Sequence, residues 1–321
     1  MKIVASLTTM PKRIDLIRGM LDSITNQSLK VDHIEINIPY KCVRTGEDYV
    51  IPEWLESYPG LQIFRTEDYG AITKIAPTLL RYKDDAETYL WSVDDDINYD
   101  SRLLDSIIRH HDPSLKRVLA NSVATIDSNG FHGCPGQNKN GMILEGFGTV
   151  LYPPKCVEDD FLSYVERTSA IPDCKLSDDV VLSNYIHGKG MLIFCCSKPY
   201  INHHFNTFSY FKDADATHLQ SGGHVNRYIR VIYHLKDLGL LYWKKQFPRN
   251  NNIMTMKTRP PQPQPTNHPL PVVKPVEKPL HRIFLKKPLS SKAPIITTVK
   301  NEPNNFALSC SSQKAGKRFW G

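Results

Sequence analysis

Residues 89–97 read Tyr89-Leu90-Trp91-Ser92-Val93-Asp94-Asp95-Asp96-Ile97. The first five have the aromatic and β-branched composition of a strand, and the run stops in three successive carboxylates. In open α/β sheets, ligands collect beyond the carboxyl ends of strands, where loops and helix starts converge. Adjacent carboxylates repel one another, so the triad costs stability unless a cation compensates it. Mg2+ and Mn2+ prefer oxygen and usually take only one or two protein carboxylates alongside phosphate oxygens. A site of this kind suits a diphosphate. The same residues also fit a solvated acidic turn, because turns favour Asp.

Toward the N-terminus, Ile3 to Leu7 reads as a first strand, followed by the polar turn Thr8-Thr9-Met10-Pro11. Ile14, Ile17, Leu21 and Ile24 recur at helical spacing and predict a helix over 12–25. Ile34-Glu35-Ile36-Asn37-Ile38 alternates as a second strand and meets Pro39, which cannot donate to a central ladder. Strand, helix, strand opens a parallel α/β sheet. A short strand, Leu61 to Phe64, and a helix over 70–82 lead to the strand that ends in the aspartates.

Beyond the triad, Leu103 to His110 reads as a helix and Val118 to Ile126 as one strand. The glycine-rich stretch from Gly130 to Gly148 reads as an excursion over a cleft rather than as core, and Thr149 to Tyr152 reads as a strand ending at Pro153-Pro154. A helix over 178–187 is expected, capped by Ser177 and closed by Gly188 and Gly190. The strand Met191 to Cys195, the pair His203-His204 and an amphipathic helix over 225–238 follow. The domain boundary falls near residue 250, giving a folded body over 1–250 and a tail over 251–321.

Residues 257–321 hold 12 Lys/Arg, 2 Asp/Glu and 11 of the 23 prolines. Residues 1–256 keep 28 Lys/Arg and 31 Asp/Glu, so a body near −3 precedes a tail near +10. The basic pI of about 8.9 therefore belongs to the tail, and it does not mark the body as a nucleic-acid binder. Proline at that density predicts a disordered or partly polyproline II segment. Its partner is not specified by the sequence, although a basic Pro-rich segment suits an acidic surface or an interaction module.

The seven cysteines lack paired spacing, which favours reduced thiols. The first residues turn polar too soon for a signal peptide, and no apolar stretch approaches the roughly 18–20 residues that span a bilayer. A soluble, cytoplasmic protein is expected, in the host cytoplasm if the chain is viral.

Three further groups carry candidate chemistry. Asp178-Asp179 opens a helix, where the dipole favours an ionised carboxylate able to act as a base; ordinary helix-start complementation fits equally. His203-His204 follows the last strand and offers imidazole to Mn2+, though a His pair can be structural. Asp68-Tyr69-Gly70-Ala71-Ile72-Thr73-Lys74 places a glycine turn and a lysine at a helix start after a strand, a combination that attracts phosphate. Lys74 and Arg13 also read as plain surface cations.

The order of Ala5-Ser6-Leu7-Thr8-Thr9-Met10-Pro11-Lys12-Arg13-Ile14, Ile36-Asn37-Ile38-Pro39, Asp68-Tyr69-Gly70 with Lys74, Val93-Asp94-Asp95-Asp96-Ile97 and Glu145-Gly146-Phe147-Gly148-Thr149-Val150-Leu151-Tyr152 resembles small GT-A-type glycosyltransferases with a DxD motif, from bacteria and large DNA viruses. The resemblance covers roughly residues 1–210 and implies a single Rossmann-like α/β domain with a mixed, mainly parallel sheet flanked by helices. By resemblance, Thr8, Thr9, Arg13, Asp68 and Lys74 line the nucleoside pocket. Asp94 and Asp95 contact ribose or support the metal, and Asp96 is the direct ligand of Mn2+ or Mg2+. Asp179 is the base of an inverting transfer, while Asp178, Gly146, Phe147 and Gly148 face the sugars. His203 or His204 completes the metal shell.

The implied activity is hexosyl or deoxyhexosyl transfer from a nucleotide sugar, UDP-sugar favoured, to a glycan or glycoprotein hydroxyl. Two other classes stay open: a sugar-nucleotide nucleotidyltransferase, and a non-catalytic nucleotide-sugar-binding protein docked by its basic tail. The turn Thr8-Thr9-Met10-Pro11-Lys12-Arg13 lacks the glycines of a nucleotidyltransferase phosphate loop.

Overall fold

The computed structural model describes residues 1–127, 130–132, 139–196 and 224–243. The predicted tail and His203-His204 lie outside these residues. The strands are β1 (Lys2–Leu7), β2 (His33–Pro39), β3 (Leu61–Thr66), β4 (Thr88–Ser92), β5 (Arg117–Ala120), β6 (Val123–Asp127), β7 (Gly130–His132), β8 (Lys139–Gly141), β9 (Ile143–Leu144), β10 (Val150–Tyr152) and β11 (Leu192–Cys195). The helices are α1 (Arg18–Thr25), α2 (Glu53–Glu56), α3 (Ala76–Arg81), α4 (Leu103–Ile108), α5 (Phe161–Ser169), α6 (Pro172–Lys175), α7 (Asp178–Gly188) and α8 (His224–Asp237). Pro11–Arg13, Gly70–Lys74 and Gly146–Gly148 form tighter 3-10 turns.

Among the described residues, eight strands form one sheet in the order β3, β2, β1, β4, β10, β5, β11, β8. The pairs β3–β2, β2–β1, β1–β4 and β5–β11 are parallel, and β10 runs antiparallel between β4 and β5. The sheet is mixed and mainly parallel, flanked by helices, the Rossmann-like architecture that the resemblance implies. β6, β7 and β9 form a second, small sheet.

Both faces of the main sheet are covered, which is why its strands are apolar on both sides. Ile3, Ala5, Leu7 and Trp91 pack with Met20, Leu21 and Ile24 of α1 and Leu103, Leu104 and Ile107 of α4. Val4, Leu90, Val118 and Ile193 join Leu79, Phe161, Val165, Val181 and Val231 on the opposite face. The strand order turns back between β1 and β4, opening a crevice at their carboxyl ends.

Several expectations are corrected. The predicted first helix begins only at Arg18, because residues 11–13 close a 3-10 turn on Met10 O, to which Arg13 N donates at 2.9 Å. The predicted helix over 70–82 breaks at Ile75. Pro77 sits in the first turn of α3, the one place where its missing N–H and its ring are tolerated. The expected strand 118–126 is two strands, β5 and β6, in different sheets, and Asn121 N donates at the crossing to Thr149 O at 3.1 Å.

The stretch 130–148 is not only an excursion, since Ile143 and Leu144 are fully buried and β8 edges the main sheet. Helices α2, α5 and α6 were not anticipated. Ser177 precedes α7, but its hydroxyl makes no capping bond. Cys42, Cys156, Cys174, Cys195 and Cys196 are buried free thiols, in line with the reading of reduced cysteines. No helix among the described residues is long and apolar enough to cross a membrane.

Gly70 shows how tightly the turns near the crevice are built. Its φ is +83°, and a Cβ there would lie 2.1 Å from the Lys175 carbonyl oxygen at the end of α6. Gly70→Ala combines a left-handed backbone with a backbone clash. We expect a loss of about 2 kcal/mol or more in stability, read as a lower midpoint in urea denaturation at unchanged slope.

A candidate active site at the strand switch point

Five segments reach the crevice. The turn after β1 brings Thr8, Thr9 and Arg13; the turn after β3 brings Asp68 and Lys74; and the chain after β4 brings Asp94, Asp95 and Asp96. The approach to β10 brings Glu145 and Phe147, and the first turn of α7 brings Asp178 and Asp179. Together they line one cavity of about 770 Å3.

Asp95 is the deepest of the triad. Thr9 Oγ1 donates to its Oδ2 at 2.7 Å, and Arg13 Nη1 to its Oδ1 at 2.7 Å. Burial raises the Asp95 carboxyl, and Arg13 and Thr9 offset only part of that. A guanidinium and a hydroxyl donating to it favour the ionised carboxylate. Asp95 thereby ties the loop after β1 to the loop after β4, each of its oxygens accepting from a residue of the first loop.

Asp94 has a different partner. Lys74 Nζ donates to Asp94 Oδ1 at 2.7 Å and lies 2.8 Å from Asp178 Oδ2. The second contact is a buried ion pair at 2.8 Å. Burial works against the Lys74 charge, but Asp178, Asp94 and Asp179 outweigh it and hold the ammonium well above its ordinary value. Asp94 N donates to Tyr99 Oη at 2.7 Å, which orients the triad's first residue.

Asp96 is as exposed as Asp94, their side chains 25% and 24%, and its nearest described cation is Arg13 Nη1 at 3.7 Å. Burial, followed by the neighbouring charges of Asp94 and Asp95, pushes its carboxyl up to about 6.

At the start of α7, Gly146 N donates to Asp179 Oδ1 at 2.8 Å, and the Tyr228 hydroxyl from α8 donates to Asp179 Oδ2. Burial and then Asp178 raise the Asp179 carboxyl more than Lys74, Tyr228 and Gly146 lower it. A Cβ on Gly146 would lie 2.6 Å from Lys74 Nζ and 3.1 Å from Asp179 Oδ1, so glycine lets the backbone pass over both groups. Phe147 stands 51% exposed on the rim, and Gly148 closes the same 3-10 turn.

The opposite wall is less charged. Met10, Pro39, Cys42, Val43 and Tyr49 line it. Tyr49 Oη donates to Thr9 O at 2.9 Å, and Thr8 Oγ1 donates to Asn37 O at 2.7 Å. Asp68 accepts from Val43 N and from Gly70 N, each at 2.7 Å, and so shapes two loops at once.

The lining includes seven carboxylates (Asp68, Asp94, Asp95, Asp96, Glu145, Asp178, Asp179) and four cations (Arg13, Arg44, Lys74, Lys175), a formal balance of −3 among the described residues. Among these residues no three His, Cys, Asp or Glu side chains form a ready metal cage. The donor chemistry still fits a hard divalent ion: carboxylate oxygens, excess negative charge, and room for phosphate oxygens to supply the remaining ligands. Asp96 and Asp94 are the residues that would hold it.

The structure brings Thr8, Thr9, Arg13, Asp68, Lys74, all three triad acids, Phe147, Asp178 and Asp179 to one cavity, with Gly146 directly behind it. Tyr228, Tyr99 and Tyr49 went unread in the sequence, and Glu145 was read only as part of a motif, with no role of its own. Tyr228 shares the apolar stripe of α8 with Val231, Ile232 and Leu235, where an aromatic residue reads as core.

No family model matches the chain, and no curated protein does. Solved structures of similar fold include the mannosyltransferase PcManGT from Pyrobaculum calidifontis in complex with GDP-Man and Mn2+, at 15% identity over 60% of this chain and 54% of that one, TM-score 0.35. The galactosyltransferase LgtC with donor and acceptor sugar analogues is 11% identical over 61% and 73%, TM-score 0.34. A 4-diphosphocytidyl-2C-methyl-D-erythritol synthase is 8% identical over 63% and 90%, TM-score 0.38. Likeness at this level carries no argument about activity.

Asp95→Ala takes from Arg13 the carboxylate 2.7 Å from its Nη1 and leaves Asp96 at 3.7 Å. Removing one member of a buried ion pair costs about 3–5 kcal/mol, and chemical denaturation should show a loss of that order. Asp95→Asn, which keeps an acceptor for Thr9, should lose less.

Proposed function

We propose that this chain is a divalent-metal-dependent glycosyltransferase that moves a hexosyl or deoxyhexosyl group from a nucleotide sugar, UDP-sugar favoured, to a hydroxyl of a glycan or glycoprotein. One observation carries the reading. Two acidic clusters some eighty residues apart in sequence meet across a single lysine, with Lys74 Nζ 2.7 Å from Asp94 and 2.8 Å from Asp178. That convergence in one cavity supports reading the two clusters as the groups for a diphosphate and for an acceptor hydroxyl.

In this reading the less charged wall around Thr8, Met10, Val43 and Tyr49 takes the nucleoside, and Asp96 with Asp94 holds Mn2+ or Mg2+, with His203 or His204 as a further ligand. The bound ion supplies Lewis-acid neutralisation of the departing nucleoside diphosphate. Asp179 accepts the proton of the acceptor hydroxyl as that oxygen attacks the anomeric carbon and the bond to the phosphate oxygen breaks, with inversion. A carboxyl raised by burial is better matched to that task near neutral pH than an ordinary one. Gly146 N–H and the Tyr228 hydroxyl fix its orientation while each oxygen keeps a free lone pair. Phe147 and Gly148 border the sugars, and Asp178 fixes Lys74.

The rival nucleotidyltransferase reading needs free cations near the turn after β1 to receive a triphosphate. Arg13, the cation of that turn that lines the cavity, is instead bound to Asp95.

Thermal-shift screening of nucleotide sugars with and without Mn2+ tests the donor, since a ligand that prefers the folded state raises its apparent stability. EDTA should remove both the shift and the turnover. Asp96→Ala should lose the Mn2+-dependent shift and about 10²–10³ in rate, whereas Asp179→Asn should lose a similar factor in rate and keep the shift. Wild-type turnover in both variants would overturn the assignment, as would the absence of any stabilising nucleotide sugar.

A further inference from the structure

We infer that the Lys74 ammonium is the resident cation of this pocket, competing with a divalent ion for Asp94, so that metal binding stays weak until a diphosphate arrives. The inference deepens the function proposed above and rests on it.

The triad offers three carboxylates, but they are not equivalent. Asp95 is buried and already carries the Arg13 guanidinium at 2.7 Å, a charge that repels a second cation. Asp96 faces the cavity. An ion that uses two carboxylates of the triad must therefore share Asp94, whose Oδ1 already accepts from Lys74 at 2.7 Å. A divalent ion and an ammonium on one carboxylate repel each other in a site where both are largely withdrawn from water.

Lys74 is built to stay, yet only its end is free to turn. Its backbone is pinned, with the carbonyl accepting from Ser6 Oγ at 2.6 Å and from Asn37 Nδ2 at 3.5 Å. Those two side chains belong to a buried network with Thr78, Arg81 and Glu35, in which Ser6 Oγ lies 2.8 Å from Thr78 Oγ1 and Thr78 donates to Glu35 Oε2 at 3.0 Å. The side chain then runs to the carboxylates beneath Gly146, where any Cβ would collide with Nζ. Asp178 Oδ2 lies 2.8 Å from the ammonium, so Lys74 has a second anionic partner if Asp94 is taken. The oxygens of a diphosphate would provide a third. Diphosphate and metal then favour one another, and the coupling is reciprocal.

The test measures Mn2+ binding to the full chain, from the paramagnetic resonance signal of the free ion, with and without UDP. Wild type should bind MnCl2 weakly alone and tighten when UDP is added. K74M removes the competing charge and should tighten Mn2+ binding without UDP by about 5–150-fold, the usual range for coupled sites, while the gain from UDP shrinks. K74R keeps the charge and should resemble wild type. If K74M lacks the wild-type far-UV circular dichroism, K74Q replaces it. The inference is overturned if the uncharged variant binds Mn2+ alone no more tightly than wild type, or if K74R gains as much. Should wild type bind Mn2+ with UDP under either of those outcomes, only the role of Lys74 falls. Failure of every protein to bind Mn2+ with or without UDP would remove the metal-dependent reading as well.

Discussion

The ion pair between Arg13 and Asp95 spans 82 residues of sequence and is almost fully withdrawn from water. It sits where the strand order turns back, so it joins the two loops that must stay together for any cavity to exist between β1 and β4. Thr9 makes the same connection through the other carboxylate oxygen. Isolated, a buried carboxylate of this kind would be strongly unfavourable. Paired on both oxygens, it becomes a fixed point from which Asp94 and Asp96 project in different surroundings. The two side chains that flank Asp95 thus differ in their partners, Asp94 meeting Lys74 and Asp96 lying 3.7 Å from Arg13.

Much of the fold was readable because its central strands are buried on both faces and therefore written in apolar and β-branched residues. β1, β2 and β4 are of this kind. The failures have local causes. Pro11 and Pro77 each sit in a first turn, where proline is compatible with helix, so the periodicity of their neighbours concealed two 3-10 turns. Nothing in the side chains of Asn121 and Ser122 marks the passage from one sheet to another; that break is set by the Thr149 carbonyl, 28 residues away. The glycines of 130–148 obscured Ile143 and Leu144, which are wholly buried. Helix α5 carried its signal in Phe161, Tyr164, Val165 and Thr168, all buried at helical spacing.

The candidate site was readable as a set of residue types and unreadable as a set of pairs. Clustered carboxylates and a lysine after a glycine turn stand out in any sequence. Which acid receives which cation depends on how loops meet in space, and the sequence contains no trace of Lys74 choosing Asp94 and Asp178 over Asp96. The premise that the triad demands an external cation is also modified, since Arg13 and Lys74 answer part of that demand from within. The tyrosine hydroxyls were hidden for another reason. Tyr99 and Tyr228 are buried aromatics first, and their polar ends matter only because a backbone N–H and a carboxylate lie within reach.

The reversed direction of β10 has an effect on how the cavity wall is supplied. Val150 lies beside Ser92 and Ala120, the last residues of β4 and β5, so the chain passes the cavity before entering this strand and leaves it toward the far rim. Its two neighbours, β4 and β5, do the opposite. Residues added just ahead of Val150 would remodel the mouth above Asp178 and Asp179, whereas residues added after Tyr152 would lengthen a loop on the remote edge. The protein thereby separates a segment open to diversification from one that is neutral to the cavity, on either side of three residues.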